Sequence, residues 1–350
     1  MSVLKIYSKQ DLLSLVRIRR FETKLGERLQ VLADSHAVQA SLAQSKARFV
    51  VLGIPEDLGV KANGGEGGAD SAWMPFLQAF VNIQSNDFLV GEDVLVLGHF
   101  DFSALAQLVE ENAHQAEEKL EAYRHAVNTI DDAVEQVVQW IVEAGKFPIV
   151  IGGGHNNAYP CIKGAAKGLY KAGKIPFAKI NAINLDAHTD YRPMEGRHSG
   201  NAFTYAEADG YLEKYCAIGV HENYIPQSVW MEMVNNPFVD CVTYEDIFLH
   251  EKRSFLQAVA HATGFVGENY CGIELDLDGI EHTLSSAETP VGITPLQARQ
   301  YLNFAAADSR PAYLLLAEGA TQLRSGKSDT QTGKLLAYLV SDFIKAMGMY

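Results

Sequence analysis

Short apolar runs rich in β-branched residues alternate along this chain with stretches that repeat apolar residues every three or four positions. The runs predict strands at 48–54, 93–98, 147–152, 180–186, 215–220, 239–243, 270–277 and 312–317. The intervening stretches predict helices at 112–145, 158–173, 226–235, 248–263, 295–307 and 333–348. Such alternation is typical of an α/β fold, in which helices cover both faces of a mostly parallel sheet.

The N-terminal segment differs from the rest of the chain. Residues 1–47 are polar, rich in Gln, Ala and Ser, and lack the strand patterns that follow. We therefore expect a helical N-terminal extension that packs on one domain formed by residues 48–350. In a sheet of this kind ligands bind beyond the carboxyl ends of the parallel strands, so functional residues should stand where strands end.

The composition excludes several classes of partner. A formal net charge of −14 argues against nucleic acid and anionic membranes, because both are bound through basic patches. The chain has no apolar run of about 20 residues, which a membrane-spanning helix needs, and its first residues do not resemble a signal peptide. Its four cysteines are scattered and are interpreted as free thiols, so the cytoplasm is the expected location.

Two predicted strand ends carry histidine and aspartate. After the strand at 147–152, three glycines lead to His155, a turn that would also suit a bound phosphate or a structural histidine. The next motif places Asp186, His188 and Asp190 two residues apart, so an extended backbone directs the three side chains to one side. Ionisable groups converging on an apolar strand need compensation, which a divalent cation provides.

A third motif ends the strand predicted at 270–277. Asp276 and Asp278 share one face, and Glu274 lies one step deeper, where we interpret it as support for a ligand or as half of an ion pair. The three motifs supply two histidines and four aspartates. This is too many for one tetrahedral site, but it suits two ions that share carboxylate bridges.

In order and spacing, these motifs resemble those of the ureohydrolase family, which includes arginase, agmatinase and formimidoylglutamase. The family carries Gly-Gly-x-His, Asp-Ala-His-x-Asp and x-Asp-x-Asp-Gly, which correspond here to 152–155, 186–190 and 275–279. The resemblance covers about residues 48–346 and implies a three-layer α/β/α sandwich with a doubly wound, mostly parallel central sheet. It also implies two divalent metal ions, with Mn²⁺ expected, and a homo-oligomer.

The resemblance assigns ligands to each ion. Those of the first ion are His155, Asp186, Asp190 and Asp276. Those of the second are Asp186, His188, Asp276 and Asp278, so that Asp186 and Asp276 bridge.

The implied reaction is hydrolysis of the C–N bond of a small amidine or guanidine by water that the two ions activate. By the same resemblance, Asp190 passes a proton to the leaving amine, and Glu318 pairs with the cationic group of the substrate. The alternative interpretation of Glu318 is an ordinary carboxylate at a strand end. The following loop is expected to bind a substrate carboxylate through Arg192, with Ser199 and Asn201 adding hydrogen bonds.

The motif Asp-x-Arg-Pro, followed by Ser-Gly-x-x-Phe, is similar to formimidoylglutamases, so the expected reaction converts N-formimino-L-glutamate to L-glutamate and formamide. The sequence departs from the family at three places, where Glu66 replaces a common arginine, Glu274 a serine, and Glu281-His282 an Asp-Pro pair. Arginase, agmatinase or another guanidinohydrolase is the alternative, and a catalytically inactive metal-binding protein with this fold is a further one.

Overall fold

The computed structural model describes residues 3–348, and within them nine strands form a single sheet. The strands are β1 (Leu4–Ile6), β2 (Phe49–Gly53), β3 (Val94–Phe100), β4 (Phe147–Ile151), β5 (Ile180–Leu185), β6 (Leu212–Val220), β7 (Val239–Thr243), β8 (Cys271–Asp276) and β9 (Pro311–Ala317). Their order across the sheet is β1-β3-β2-β4-β9-β8-β5-β6-β7. β1 pairs antiparallel with β3, and the other neighbours are parallel.

Helices cover both faces of the sheet. They are α1 (Lys9–Ser14), α2 (Leu25–Arg28), α3 (Val38–Gln44), α4 (Leu58–Ala62), α5 (Trp73–Phe80), α6 (Ser103–Asn112), α7 (Ala116–Glu143), α8 (Ala158–Lys171), α9 (Ala202–Ala208), α10 (Gln227–Asn235), α11 (Tyr244–Phe248), α12 (Phe255–Val266), α13 (Pro295–Asp308) and α14 (Thr332–Gly348). In the part of the chain that is described, none of these helices has the length and apolar character needed to cross a bilayer.

Two hydrophobic cores lie on opposite sides of the sheet, because successive side chains of a strand point to opposite faces. Val51 and Ile149 pack into one core with α5, α12, α13 and α14. Val50 and Val150 pack into the other with α7, α8 and α9. Strands buried on both faces explain the nearly continuous apolar runs in the sequence. The predicted three-layer α/β/α sandwich is confirmed.

Each of the eight predicted strands corresponds to one strand of the sheet, from β2 to β9. Two long predicted helices are interrupted instead of continuous: 112–145 spans the end of α6 and all of α7, and 248–263 spans the end of α11 and most of α12.

The N-terminal extension, expected to be helical, also contains a strand. Leu4–Ile6 forms β1 at the edge of the sheet, with Leu4 opposite Phe100 in β3. A strand of three residues is too short to give a recognisable alternation in sequence. The division into 1–47 and 48–350 stays a prediction. Residues 1–2 and 349–350 lie outside the described residues.

The sheet order brings the three sequence motifs together. β4, β9, β8 and β5 are consecutive neighbours, so the carboxyl ends that carry the motifs meet at one edge of the sheet. Asp276, at the end of β8, is paired with Ala317 at the end of β9, directly before Glu318. Residues more than a hundred positions apart in sequence therefore face the same crevice.

Candidate metal centre and cavity

The turn after β4 delivers His155 to the crevice. Gly152 and Gly153 have φ of 86° and 78°, a left-handed conformation that favours glycine. A Cβ on Gly153 would lie 2.7 Å from the Ile54 carbonyl oxygen and 2.9 Å from Glu56 Oε1, so no larger residue fits there. These constraints explain why the strand runs into consecutive glycines before the histidine.

The segment after β5 supplies three further side chains. Asp186 is buried, its Oδ1 accepts the His188 backbone N–H at 2.7 Å, and its Oδ2 accepts an N–H of Asn184 at 2.9 Å. Asp190 has a φ of 45°, which is unusual for a residue other than glycine. Two local hydrogen bonds therefore orient the Asp186 carboxylate, one from the backbone and one from a neighbouring side chain.

The imidazole of His155 faces carboxylate oxygens. Its Nδ1 lies 2.8 Å from Asp190 Oδ2, 3.1 Å from Asp276 Oδ2 and 3.3 Å from Asp186 Oδ2. Among the described residues, this buried Nδ1 nevertheless makes no hydrogen bond of acceptable geometry. One nitrogen and three carboxylate oxygens converging in this way form a ligand set for a divalent cation, with ligand atoms within 4.8 Å of one another.

A second set lies beside the first. His188 Nδ1 is 3.1 Å from Asp278 Oδ2 and 3.5 Å from Asp186 Oδ1. Asp278 Oδ1 is buried and has no hydrogen-bond partner within residues 3–348. Asp186 belongs to both sets, as the sequence analysis expected of a bridging residue. Asp276, the other expected bridge, falls in the set of His155 alone.

Electrostatics of the cluster favour a bound cation. Burial raises the pKa of Asp190 to about 6, assisted by the Asp186 carboxylate, and burial with neighbouring carboxylates raises the pKa of Asp276 well above its usual value. Burial alone would lower the pKa of His155, but the facing carboxylates hold it high. Buried carboxylates this close together repel one another when they are all ionised, and divalent cations compensate that negative charge. These residues therefore fit two such ions.

Two glutamates flank His155 on different sides. Glu318 Oε1 accepts the His155 backbone N–H at 2.8 Å, and Ser286 Oγ donates to its Oε2 at 3.3 Å. Burial and the Asp278 charge raise the pKa of Glu318 to about 8. Glu274 lies behind the imidazole, where its Oε2 is 3.3 Å from His155 Nε2 and its Oε1 accepts the Tyr313 hydroxyl. Glu274 thus orients the ring, one of the roles proposed for it from sequence.

A cavity of about 310 Å³ opens onto the two ligand sets. Its lining residues include His188, Asp190, Asp276, Asp278, Glu318, Arg192, Ser199, Asn63, Tyr224 and Ser286. Tyr224 stacks on His188 with ring centroids 5.1 Å apart. Sequence reasoning gave no role to Tyr224 or Ser286, since both lie on connecting segments where no motif distinguishes them.

The structure separates the three predicted substrate-binding residues. Arg192 lines the cavity with its side chain 46% exposed and donates to Glu195 Oε1 at 2.8 Å. Ser199 also lines the cavity and accepts an N–H of Asn63 at 3.4 Å.

Asn201 is not among the residues that line the cavity in the described structure, so its role in substrate binding stays a prediction. It is fully buried, its Oδ1 accepts from the Arg197 guanidinium at 2.9 Å, and its Nδ2 donates to the Gly196 carbonyl at 2.8 Å. Its polar atoms are therefore used in holding the loop together. A sequence places a residue on a loop but does not tell which way its side chain turns.

Comparisons with known proteins identify the family to which the chain is similar. The model of the arginase family matches residues 47–344. A formimidoylglutamase of Enterobacter sp. (strain 638) is 30% identical over 254 residues, which cover 71% of this chain and 70% of the relative. One from Psychrobacter cryohalolentis is 25% identical over 274 residues, covering 74% and 75% of the two chains.

Solved structures share the fold. Formiminoglutamase of Trypanosoma cruzi, in a structure with Mn²⁺, has a TM-score of 0.69 at 18% identity and covers 94% of this chain and 99% of its own. Formimidoylglutamase of Bacillus subtilis has a TM-score of 0.70 at 16% identity, covering 95% and 94%. The resemblance inferred from the three motifs is confirmed. The chain belongs to the arginase family.

Proposed function

We propose that this protein is a binuclear-metal hydrolase that converts N-formimino-L-glutamate and water to L-glutamate and formamide. The observation that carries the proposal is the pair of overlapping ligand sets at the floor of a cavity whose rim holds an arginine. The similarity to curated formimidoylglutamases supports this substrate over the guanidines of arginase and agmatinase.

Six residues would hold the two ions, for which Mn²⁺ is our proposal. They are His155, Asp186, His188, Asp190, Asp276 and Asp278. Two bound cations would lower the pKa of water toward neutrality and polarise the carbon that is attacked. Asp186 would be the shared ligand because, of the residues that the structure describes, it alone belongs to both sets.

Asp190 is the residue that we assign to proton transfer. Its side chain lines the cavity, and its Oδ2 lies 2.8 Å from His155 Nδ1, within one of the two ligand sets. It takes a proton from the attacking water and gives it to the leaving nitrogen, which departs as the amine of glutamate.

Recognition of the two ends of the substrate falls to different residues. Glu318 pairs with the cationic formimino group, because its carboxylate lies in the cavity beside the turn of His155. Arg192 binds a substrate carboxylate, exchanging its present partner Glu195 for the ligand. The Ser199 hydroxyl adds a neutral hydrogen bond at the same rim.

Two further properties are proposed from the family resemblance. We propose a homo-oligomer, which light scattering on the purified protein tests directly. We also propose a cytoplasmic location, which fits four cysteines that are all free in the described structure, as a reducing compartment would keep them.

Steady-state hydrolysis by the Mn²⁺-loaded protein tests the proposed reaction. N-formimino-L-glutamate, arginine, agmatine and guanidinobutyrate are assayed in parallel, and we expect glutamate and formamide from the first and no urea from the others. Asp186→Asn is the control for metal dependence, since loss of the shared ligand should remove turnover. Urea release from a guanidine would reassign the substrate, and no turnover of any compound with two ions bound would contradict the proposal.

A further inference from the structure

Glu56 is a buried carboxylate outside both ligand sets that collects an unusual number of N–H donors. It follows β2 and is 3% exposed. Its Oε1 accepts from the Gly154 backbone N–H at 3.0 Å, from Asn156 Nδ2 at 3.2 Å and from Asn157 Nδ2 at 2.7 Å. Its Oε2 accepts from the backbone N–H groups of Leu58 at 2.8 Å and Gly59 at 3.1 Å.

These contacts join two loops that meet at the crevice. One loop leads into α4. Val60 in α4 and Asn63 directly after it line the cavity. The other is the glycine turn that carries His155. Glu56 binds this turn at Gly154, and Glu318 binds it one residue later at the His155 N–H. The backbone on which His155 stands is therefore held by two carboxylates from different strands.

We propose that Glu56 is a positioning residue that fixes the turn of His155 and thereby sets the affinity of one of the two metal sites. The inference rests on the metal centre proposed above. A side chain that orients a metal ligand commonly changes metal affinity by roughly ten- to hundredfold when it is replaced. Within residues 3–348, Glu56 makes no hydrogen bond to a predicted ligand side chain, so its effect would pass through the backbone of the turn.

The contacts require a carboxylate at this position. Backbone N–H groups, which cannot be reoriented, face both oxygens: Gly154 on one side, and Leu58 with Gly59 on the other. In Glu56→Gln, either orientation of the amide places its NH₂ group against at least one of these donors. A buried donor then loses its partner, and the turn must shift to recover one.

The effect should be confined to one site. His155 belongs to the set with Asp186, Asp190 and Asp276, whereas the other set uses His188. His188 follows β5, and its backbone N–H is held by Asp186 instead of by the glycine turn. Displacement of the turn should therefore weaken one ion and leave the other bound.

Asp57 provides the matched control. It is the next residue, is equally buried at 4% exposure, and is also a carboxylate. It pairs with Lys61 at 3.0 Å and Arg324 at 2.9 Å, and in the described structure it makes no hydrogen bond to the turn of His155. Asp57→Asn disturbs the same loop without touching that turn.

Calorimetric titration of the metal-free proteins with MnCl₂ tests the inference. We expect two sites in the wild type and in Asp57→Asn, and in Glu56→Gln one site unchanged and one weaker by roughly ten- to hundredfold. Two unchanged sites in Glu56→Gln, or the same selective loss in Asp57→Asn, would overturn the role of Glu56. A wild type that binds no Mn²⁺ would instead overturn the metal centre itself.

Thermal unfolding of the metal-free proteins shows whether Glu56→Gln still folds cooperatively. If it does not, Asn156→Ala replaces it, because this variant removes a side-chain donor to Glu56 and keeps the carboxylate. Selective weakening of one Mn²⁺ site in Asn156→Ala supports the proposal, and two unchanged sites contradict it.

Discussion

At the scale of single residues, two carboxylates of the cavity stand on strained backbone. Asp190 and Glu318 have φ of 45° and 62°, a region that side-chain-bearing residues adopt at a cost of order 1–3 kcal/mol. Neither position carries a glycine, which would relieve the backbone strain but would also lack the carboxylate. Strain retained in this way is typical of positions selected for what the side chain does.

Replacement of Glu318 by Gln should lower kcat/KM and leave metal binding intact. Glu318 lies outside both ligand sets, and bound cations would offset the Asp278 charge that raises its pKa, so that its carboxylate could ionise and stabilise a cationic substrate. A hydrogen bond to a charged group contributes about 1.5–3 kcal/mol, so we expect a loss of roughly ten- to hundredfold. Steady-state kinetics with parallel Mn²⁺ titration measures both. Unchanged kcat/KM would return Glu318 to an ordinary strand-end carboxylate.

Arg192→Ala should raise KM for N-formimino-L-glutamate by about tenfold or more with little change in kcat. The guanidinium lies at the rim and takes no part in the proposed proton transfer. It should therefore contribute equally to binding of the ground state and of the transition state. Arg192→Lys should recover part of the affinity, because a lysine keeps the charge but not the paired donors. A fall in kcat with unchanged KM would contradict the assignment.

Among the helices and loops, a buried ion pair joins the loop after β5, which borders the cavity, to α7. Arg197 is 3% exposed. Its Nε donates to Asp131 of α7 at 2.9 Å, and its Nη2 donates to the Asn156 carbonyl at 2.8 Å. Its guanidinium lies over the rings of Tyr159 and Tyr205, 4.7 and 5.0 Å from their centroids. The loop after β5 is therefore anchored to α7, to the turn of His155 and to two aromatic rings.

Asp131→Asn should destabilise the protein by about 3–5 kcal/mol, because it leaves the buried Arg197 without its charge partner. Urea unfolding measures this change. The control is Glu92→Gln, which breaks the exposed pair of Arg28 and Glu92 and should cost less than about 1 kcal/mol. Equal effects of the two changes would show that the Arg197 anchor adds nothing beyond a surface pair.

At the scale of the whole molecule, the metal-free protein should lose stability as pH rises from about 5 to 8. Burial raises the pKa of Asp190 to about 6 and that of Glu318 to about 8. The pKa of His155 is also raised, by facing carboxylates that outweigh its burial. In this range these groups bind more protons in the native state than in the unfolded chain, so the free energy of unfolding falls with pH. Buried histidines such as His198, whose pKa is lowered to about 4, oppose this trend below about pH 6.5, but they are outnumbered by the buried groups whose pKa is raised.

Asp186 has the opposite shift, since His155 and His188 outweigh its burial and lower its pKa. Its stabilisation is complete above the ordinary carboxyl pKa of about 4, so it does not change the sign between pH 5 and 8. Urea unfolding with a chelator at pH 5, 6.5 and 8 measures the trend. Added Mn²⁺ should raise stability most at pH 8, where the fewest protons must be displaced from the ligands. A metal-free protein that gains stability over this range would refute the prediction.

Local sequence patterns indicate the layers and most of the residues that converge in the two proposed ligand sets. Strand runs such as 147–152 are apolar throughout because both faces are covered, and that pattern is local. The spacing of Asp186, His188 and Asp190 likewise depends only on the period of an extended backbone.

How distant segments meet depends on the packing of the whole chain. The order β4-β9-β8-β5 brings His155, Glu318, Asp276 and Asp186 to one edge, and no local pattern encodes strand order. Tertiary contacts also direct the Asn201 side chain to the Gly196 carbonyl and pair β1 with β3. They bring Glu56 to Gly154, which lies 98 positions away in sequence. Periodicity reports which face of an element is buried, whereas the partner on that face is chosen by packing of the whole chain.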